Sequence, residues 1–326
     1  MRILITGAGG FVGQILAEQL AHEENVELFG AYYNQKPDFD FPFSSFKLDI
    51  GNLDDVKSLI SEIQPDEVYH LAGVSFISEA IANPVVTYKT NAFGPLNLLE
   101  AIAKKASKAR ALIVSSSDVY GRVALSDNPV KESQRAEPHN IYSASKRCAE
   151  LIARQFVNNG VHAIIARPFN HTGPGQNERF VAPAFAFQIA RIEAGLQAPV
   201  VTTGSLDAQR DVCDARDVAV AYTLLMRGAD RGSVYNVCSG KPVKIKKILD
   251  ILLSLSTHDS IEHRLDISRS SHGENNIVYG DGSALYKLAG WKPQIPLEKT
   301  LADLLDYCRK VVTEKKTVID YIETSS

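Results

Sequence analysis

Tyr142 and Lys146 bound the run Tyr142-Ser143-Ala144-Ser145-Lys146, and at four residues apart they share one face of a helix. An ammonium beside a phenol favours the phenolate. The spacing therefore predicts a Tyr142 pKa below its ordinary value near ~10 and a group able to move a proton at neutral pH. Small side chains at Ser143, Ala144 and Ser145 leave room for a flat ligand. A further hydroxyl comes from Ser115-Ser116-Ser117-Asp118-Val119-Tyr120-Gly121, which follows an apolar strand. Ligands of a parallel sheet bind beyond the carboxyl ends of its strands, so these hydroxyls face the cleft. A Ser donor beside an acidic Tyr polarises a carbonyl while a nicotinamide delivers hydride.

Each of these runs arises by chance in many chains, and their weight comes from a third. Thr6-Gly7-Ala8-Gly9-Gly10-Phe11-Val12-Gly13 lies directly after a strand and opens a helix. Gly7 permits the tight turn, Gly10 lets the backbone approach a pyrophosphate at the helix N-terminus, and Gly13 allows helix to pack closely on sheet. The reading is a dinucleotide site. Sites for NAD place a carboxylate near the end of the second strand. Here the chain reads Gly30-Ala31-Tyr32-Tyr33-Asn34-Gln35-Lys36, with no acid before Asp38. Asn34 and Lys36 suit a 2′-phosphate, which favours NADP(H), with NAD(H) as the alternative. Asp49 reaches the adenine amino group or else caps the helix that begins near Leu53.

These residues need a framework. Strands are expected at Arg2 to Thr6, Val26 to Ala31, Phe46 to Leu48, Glu67 to Leu71, Ala111 to Ser115 and His162 to Ala166. Helices fit Phe11 to His22, Leu53 to Ile63, Val85 to Lys105 and Ile141 to Val157. The last of these has Asn140 as N-cap and a stripe of Cys148, Ala149, Leu151, Ile152 and Phe156 for burial. Strand and helix in alternation make an α/β fold, a doubly wound parallel sheet of Rossmann type. Residues 1–167 are expected to form the dinucleotide-binding domain. Residues 168–326, with helices near Val181 to Gly195 and Leu297 to Val312, form a smaller interleaved substrate domain that returns segments to the first.

Composition excludes several classes. At 326 residues, 45% hydrophobic and a formal charge of -3, the chain reads as an ordinary globular protein with no nucleic-acid surface. Its four cysteines, Cys148, Cys213, Cys238 and Cys308, show neither zinc nor disulfide spacing, which suits a reducing cytoplasm. No targeting segment and no apolar run near the ~18 residues of a membrane span is evident. No metal is expected: His171 has no second ligand at metal-binding spacing.

Taken together, these runs resemble the extended short-chain dehydrogenase/reductases that act on nucleotide-diphosphate sugars, over nearly the whole chain. Ala166-Arg167-Pro168-Phe169-Asn170-His171-Thr172-Gly173-Pro174-Gly175-Gln176, Tyr235-Asn236-Val237-Cys238-Ser239-Gly240 and Gly290-Trp291-Lys292-Pro293 are most similar to the GDP-6-deoxy-D-mannose reductases among them. The resemblance implies catalytic Ser116, Tyr142 and Lys146. It also implies a cofactor cleft lined by Gly7, Gly10, Phe11, Val12, Gly13, Asn34, Asp49, Ile50, Leu71, Ala72 and Gly73, with Asn91 at a motif position. For the GDP-linked substrate it implies Ser117, Asp118, Asn170, Arg179, Val181 and Arg210. Guanidinium groups match a diphosphate bidentately, although Arg210 has Asp211 and Asp214 as alternative ion-pair partners. Arg269 is a weaker match, because the proline that follows this arginine in the family is missing here.

The expected activity is NAD(P)H-dependent reduction of GDP-4-keto-6-deoxy-D-mannose to GDP-D-rhamnose. Alternatives on the same scaffold are a 4,6-dehydratase, a 4-epimerase, or a non-catalytic dinucleotide sensor. The intact Ser116, Tyr142 and Lys146 argue against the last. Asp118 stands where dehydratases of the family carry a glutamate. A homodimer is implied through the helices Val85 to Lys105 and Ile141 to Val157.

Overall fold

The computed structural model describes residues 1–266 and 277–324, with side chains to residue 314. Six strands of the first half are β1 (Arg2–Thr6), β2 (Glu27–Tyr32), β3 (Ser44–Lys47), β4 (Glu67–His70), β5 (Arg110–Val114) and β6 (His162–Pro168). Then come β7 (Asn170–Thr172), β8 (Val200–Thr203), β9 (Gln209–Asp214), β10 (Val234–Val237), β11 (Pro242–Lys244), β12 (Glu262–Leu265) and β13 (Ile277–Val278). Seven of them make one sheet in the order β10-β6-β5-β4-β1-β2-β3, parallel throughout. The expected doubly wound α/β fold is therefore present. Its strand order reverses between β1 and β4, where such folds open a ligand crevice.

Both faces of the sheet are covered, which is why β1 reads as an uninterrupted apolar run rather than an alternating one. Helices α2 (Leu53–Ile63), α5 (Gly94–Lys105) and α6 (Ile141–Asn158) pack Val56, Leu59, Leu98, Ile102 and Ala149 against one side. On the other lie α1 (Phe11–Leu20), α8 (Ala215–Gly228) and α10 (Ser283–Ala289), with Leu16, Leu20, Val218, Tyr222 and Leu285. A separate core joins α7 (Val181–Glu193), α9 (Ile245–Ser254) and α11 (Leu297–Thr324). Beside it β7, β11 and β13 flank β9 in a small sheet.

Two local expectations change. The segment read as one helix over Val85 to Lys105 is α4 (Pro84–Tyr88), a π-helical turn at Lys89–Phe93, and then α5. A short α3 (Ile77–Ala82) precedes them. On α6, Leu151 is 47% exposed rather than part of the buried stripe, because its position faces away from the sheet while Ala149 and Ala153 face it.

Candidate active site

The cleft is built from the β1–α1 turn upward. Gly7 holds φ +76°, a conformation for glycine, and a Cβ on it would lie 2.7 Å from the backbone nitrogen of Ala72. That contact is what brings the turn against Leu71, Ala72 and Gly73. Gly9, which the motif reading passed over, is equally constrained: its Cβ would meet the Gln35 carbonyl at 1.9 Å. The exposed loop carrying Asn34 and Lys36 thus crosses the mouth of the glycine turn. Gly10 caps α1 without a side-chain hydrogen bond. The first turn of α1, at Phe11, Val12 and Gly13, therefore has no side-chain cap competing for an external acceptor, and this cradle fits a dinucleotide pyrophosphate.

Asp49 does not cap α2. Asn52 does, accepting from the backbone of Asp54 and Asp55. Asp49 accepts instead from the Gly51 backbone at 2.9 Å and from Lys89 Nζ at 2.8 Å. Lys89 holds its carboxyl below the ordinary range. Next to it Ile50 is buried, and its carbonyl accepts from Asn97.

Helix α6 starts with a capping box between Asn140 and Ser143, so the expected N-cap is present. Ser143 is consumed by that cap, and Ser145 donates to the Tyr142 carbonyl at 2.7 Å and accepts from Asn91 at 3.0 Å. Both serines are fully buried structural groups and do not make the open space their size suggested. Asn91, inside the π turn, also exchanges two hydrogen bonds with the Val74 backbone, at 2.8 and 3.0 Å. It ties α6 to the strand-end loop at Ala72 and Gly73.

Tyr142 and Lys146 are both buried on the same face, and Lys146 Nζ donates to the Val114 carbonyl at the end of β5 at 2.9 Å. The Ser116 hydroxyl, which accepts from Asp118 N at 3.1 Å, is near enough to the Tyr142 phenol to act on its protonation. Structure thus brings the three expected catalytic side chains together. The expected electrostatics do not hold. Burial, and secondarily the charge of Asp118, push the Tyr142 pKa up, against the smaller effect of Ser116. Burial brings Lys146 down to about 8. Desolvation outweighs the spacing argument, and Tyr142 is held as a proton donor.

A group that the sequence reading missed lies one turn beyond Lys146. Glu150, fully buried, accepts from Ser115 Oγ at 2.7 Å, from Arg167 Nε and Nη2 at 2.8 and 2.7 Å, and from Arg147 at 2.6 Å. Burial raises its pKa, but the Arg167 bonds and charge with those of Ser115 and Arg147 win, and the carboxyl sits below its ordinary value. The spacing Tyr142, Lys146, Glu150, each four apart, was the available signal.

On the opposite wall, β7 pairs with β9 so that Asn170 faces Val212, two residues from Arg210 on the same strand. Alternation puts Asn170 and Arg210 on one face of the small sheet. The carboxylates proposed as partners of Arg210 are engaged elsewhere. Asp211 accepts from Ser239, Gly240 and Gly280, and Asp214 from Arg216. Arg179 is half-exposed, paired with Glu79 at 3.0 Å and stacked over Phe76 at 4.7 Å. Val181 opens α7 beside it, exposed, and Phe180 meets Phe76 edge-on at 5.7 Å. His171 stacks on Phe11 at 6.3 Å, with Nδ1 3.0 Å from the Phe169 carbonyl. The β7–β9 wall therefore touches the first residue of α1. Ser117 and Asp118 form the start of a 3₁₀ turn at the end of β5, partly open. Arg269 lies outside the described residues. Among the described residues no cluster of three or more metal-ligating side chains occurs, and no helix is long and apolar enough to cross a membrane.

The profile of the family described as GDP-mannose 4,6 dehydratase matches residues 4–304. GDP-6-deoxy-D-mannose reductase of Pseudomonas aeruginosa is 36% identical over 96% of this chain and 99% of its own length. GDP-mannose 4,6-dehydratase of Vibrio cholerae is 29% identical over 93% of this chain and 92% of its own. Among solved structures, RMD from Pseudomonas aeruginosa complexed with NADPH is similar with a TM-score of 0.83 and 34% identity, over 95% of this chain and 99% of that one.

Proposed function

The chain belongs to the GDP-mannose 4,6-dehydratase family of extended short-chain dehydrogenase/reductases, and from that premise we propose that it reduces the 4-keto group of GDP-4-keto-6-deoxy-D-mannose to give GDP-D-rhamnose. It is an NAD(P)-dependent oxidoreductase. The observation that carries the finer reading is the similarity itself: 36% identity over 96% of the chain to a GDP-6-deoxy-D-mannose reductase, against 29% over 93% to a GDP-mannose 4,6-dehydratase. A reductase uses Tyr142 as an acid at the start of its cycle, whereas a dehydratase or epimerase begins by oxidising its sugar and uses the same group as a base.

When bound, NADPH supplies the hydride that goes to C4 of the sugar. Tyr142 donates its proton to the C4 oxygen, and Ser116 donates a hydrogen bond to the same atom. Lys146, anchored on the Val114 carbonyl, places a positive charge on the face of α6 that holds Tyr142 and stabilises the phenolate that the transfer leaves. Asn170 and Arg210 hold the substrate diphosphate, and Arg179 turns from Glu79 towards it. NADPH is preferred over NADH, a reading supported by the loop at Asn34 and Lys36, which crosses the glycine turn and has no carboxylate before Asp38.

The protein acts in the cytoplasm as a homodimer. Support for the dimer comes from Val85, Val86, Phe93 and Leu151, all exposed on the outer side of α4, the π turn and α6. A monomer by light scattering at micromolar concentration would refute that.

The test of the activity uses two substrates. GDP-mannose alone should remain unchanged. Adding the 4-keto-6-deoxy product of a separate dehydratase should consume NADPH stoichiometrically, and Asp118→Asn should reduce this rate only a few-fold. The second reading, a 4,6-dehydratase, rests on the carboxylate of Asp118 beside Tyr142. Formation of the 4-keto sugar from GDP-mannose without reductant, abolished by Asp118→Asn, would replace the first reading with it.

A further inference from the structure

The two hydroxyls that must grip one carbonyl oxygen belong to different elements. Ser116 stands at the end of β5 and Tyr142 on the first turn of α6. Reacting groups need to be held to within about half an ångström, so something must fix this spacing. Lys146 Nζ on the Val114 carbonyl is one tie, but Lys146 has a role of its own in the chemistry and cannot serve as a passive strut.

The Glu150–Arg167 pair makes the others. Glu150 holds the hydroxyl of Ser115, the residue directly before Ser116, at 2.7 Å. Arg167 lies 4.7 Å from the ring centroid of Tyr120, the last residue of the 3₁₀ turn that Ser116 caps. Tyr120 is fixed in turn by donating to Asn236 Oδ1 at 2.7 Å. Both ends of the short segment carrying Ser116 are thus attached to one ion pair, and the carboxylate of that pair sits on the same face of α6 as Tyr142 and Lys146. Glu150 is 0% exposed and Arg167 2%. Burying two charges is costly, and well-packed apolar side chains of similar volume commonly do as well or better for stability. What apolar side chains do not supply is a directional bond to a neighbouring hydroxyl.

We propose that the buried Glu150–Arg167 pair, acting through Ser115 and Tyr120, is a positioning device that sets the separation of the Ser116 and Tyr142 hydroxyls. Glu150, Arg167 and Ser115 are all buried and act through their neighbours. The kinetic part of the test rests on the reductase reading; the geometric part does not.

Two variants test it. Ser115→Ala removes one tie and leaves the ion pair, and Glu150→Gln removes its carboxylate charge and leaves the Arg167 guanidinium uncompensated. With the 4-keto sugar and NADPH, kcat should fall about 10-fold in Ser115→Ala and about 100-fold in Glu150→Gln. KM for the sugar and affinity for NADPH should stay within about twofold. In a Ser116→Ala background either substitution should cost little more, since the spacing then has no second hydroxyl to serve. Crystal structures of wild type and Ser115→Ala, superposed on the seven-stranded sheet, should show the Ser116–Tyr142 separation widened in the variant. An unchanged separation overturns the proposal whatever the substrate proves to be, and so does a full multiplicative loss in the Ser116→Ala background. A wild-type protein that leaves NADPH unconsumed counts against the reductase reading alone, because the separation still decides the positioning role.

Discussion

The two walls of the cleft are built on opposite principles. On the β5–α6 wall Ser116, Tyr142, Lys146, Asn91 and Glu150 are all buried, while Ser117 and Asp118 at its rim are partly open. On the β7–β9 wall Asn170 is exposed, and Arg179 is half-exposed in an ion pair with Glu79. The first wall is arranged before any ligand arrives, which suits proton and hydride transfer, where geometry and protonation state set the rate. The second leaves cations near the surface whose present partners a diphosphate can replace. Chemistry and recognition are thereby separable, and substitutions on the two walls should split between kcat and KM.

The largest effect belongs to the buried wall. Tyr142→Phe should lower kcat by about 10²- to 10⁴-fold while cofactor and nucleotide-sugar binding persist, a result checked by steady-state rates beside calorimetry. Near wild-type turnover would remove Tyr142 as the acid. Next comes Arg210→Ala on the open wall, which should raise KM for the nucleotide sugar with kcat largely kept. A desolvated charge contact costs about 2 to 5 kcal/mol to truncate, and Arg210 is only half-buried, so the lower figure applies and the shift is about 30-fold. Calorimetry showing unchanged GDP affinity would contradict it.

A pH profile returns to the first wall. Because burial brings Lys146 down to about 8, it is an ammonium below that pH and a neutral amine above it. The charge that stabilises the phenolate is lost as pH rises, so kcat/KM for NADPH should fall about tenfold per unit above about 8. A limb that stays flat past pH 10 would mean that Lys146 titrates nearer its usual value. The smallest change is expected at Arg179→Ala. With a half-exposed side chain and a surface partner, it should cost under about 1 kcal/mol and raise KM only a few-fold. A loss as large as that of Arg210→Ala would mean that Arg179 is a principal diphosphate contact.

The same division governs what could be read from the residues alone. The glycine turn, the strand-and-helix alternation and the Asn140 cap follow from local rules that act within a few residues, and they are present where expected. So is the meeting of Ser116, Tyr142 and Lys146, since parallel strands deliver their ends to one edge. Protonation was misread because spacing suggests a charge neighbour but not the loss of water around it, and at Tyr142 burial is the largest effect. Glu150 was missed because its partners, Ser115 and Arg167, stand 35 and 17 residues away and meet only in the folded chain. Of the two roles open to Asp49, adenine contact and capping the helix near Leu53, the cap belongs to Asn52, which stands closer to the helix start.

The π turn at Lys89–Phe93 bears on which lengths of this chain are tolerated. A π turn amounts to one residue too many for a regular helix. Deleting one residue there would remove the extra residue, but Pro95, with no N–H to donate, would still interrupt the backbone ladder across the junction. Each residue of an α-helix turns the axis by about 100°, so whichever half kept its register, the other would rotate away by that amount. If α5 stayed packed on α2, the preceding turn would carry Asn91 out of reach of Ser145 and Val74, and the anchor between α6 and the cofactor loop would be gone. Chain length in this segment is thus set by the anchor, and a one-residue deletion in it should arrive together with a loss of turnover.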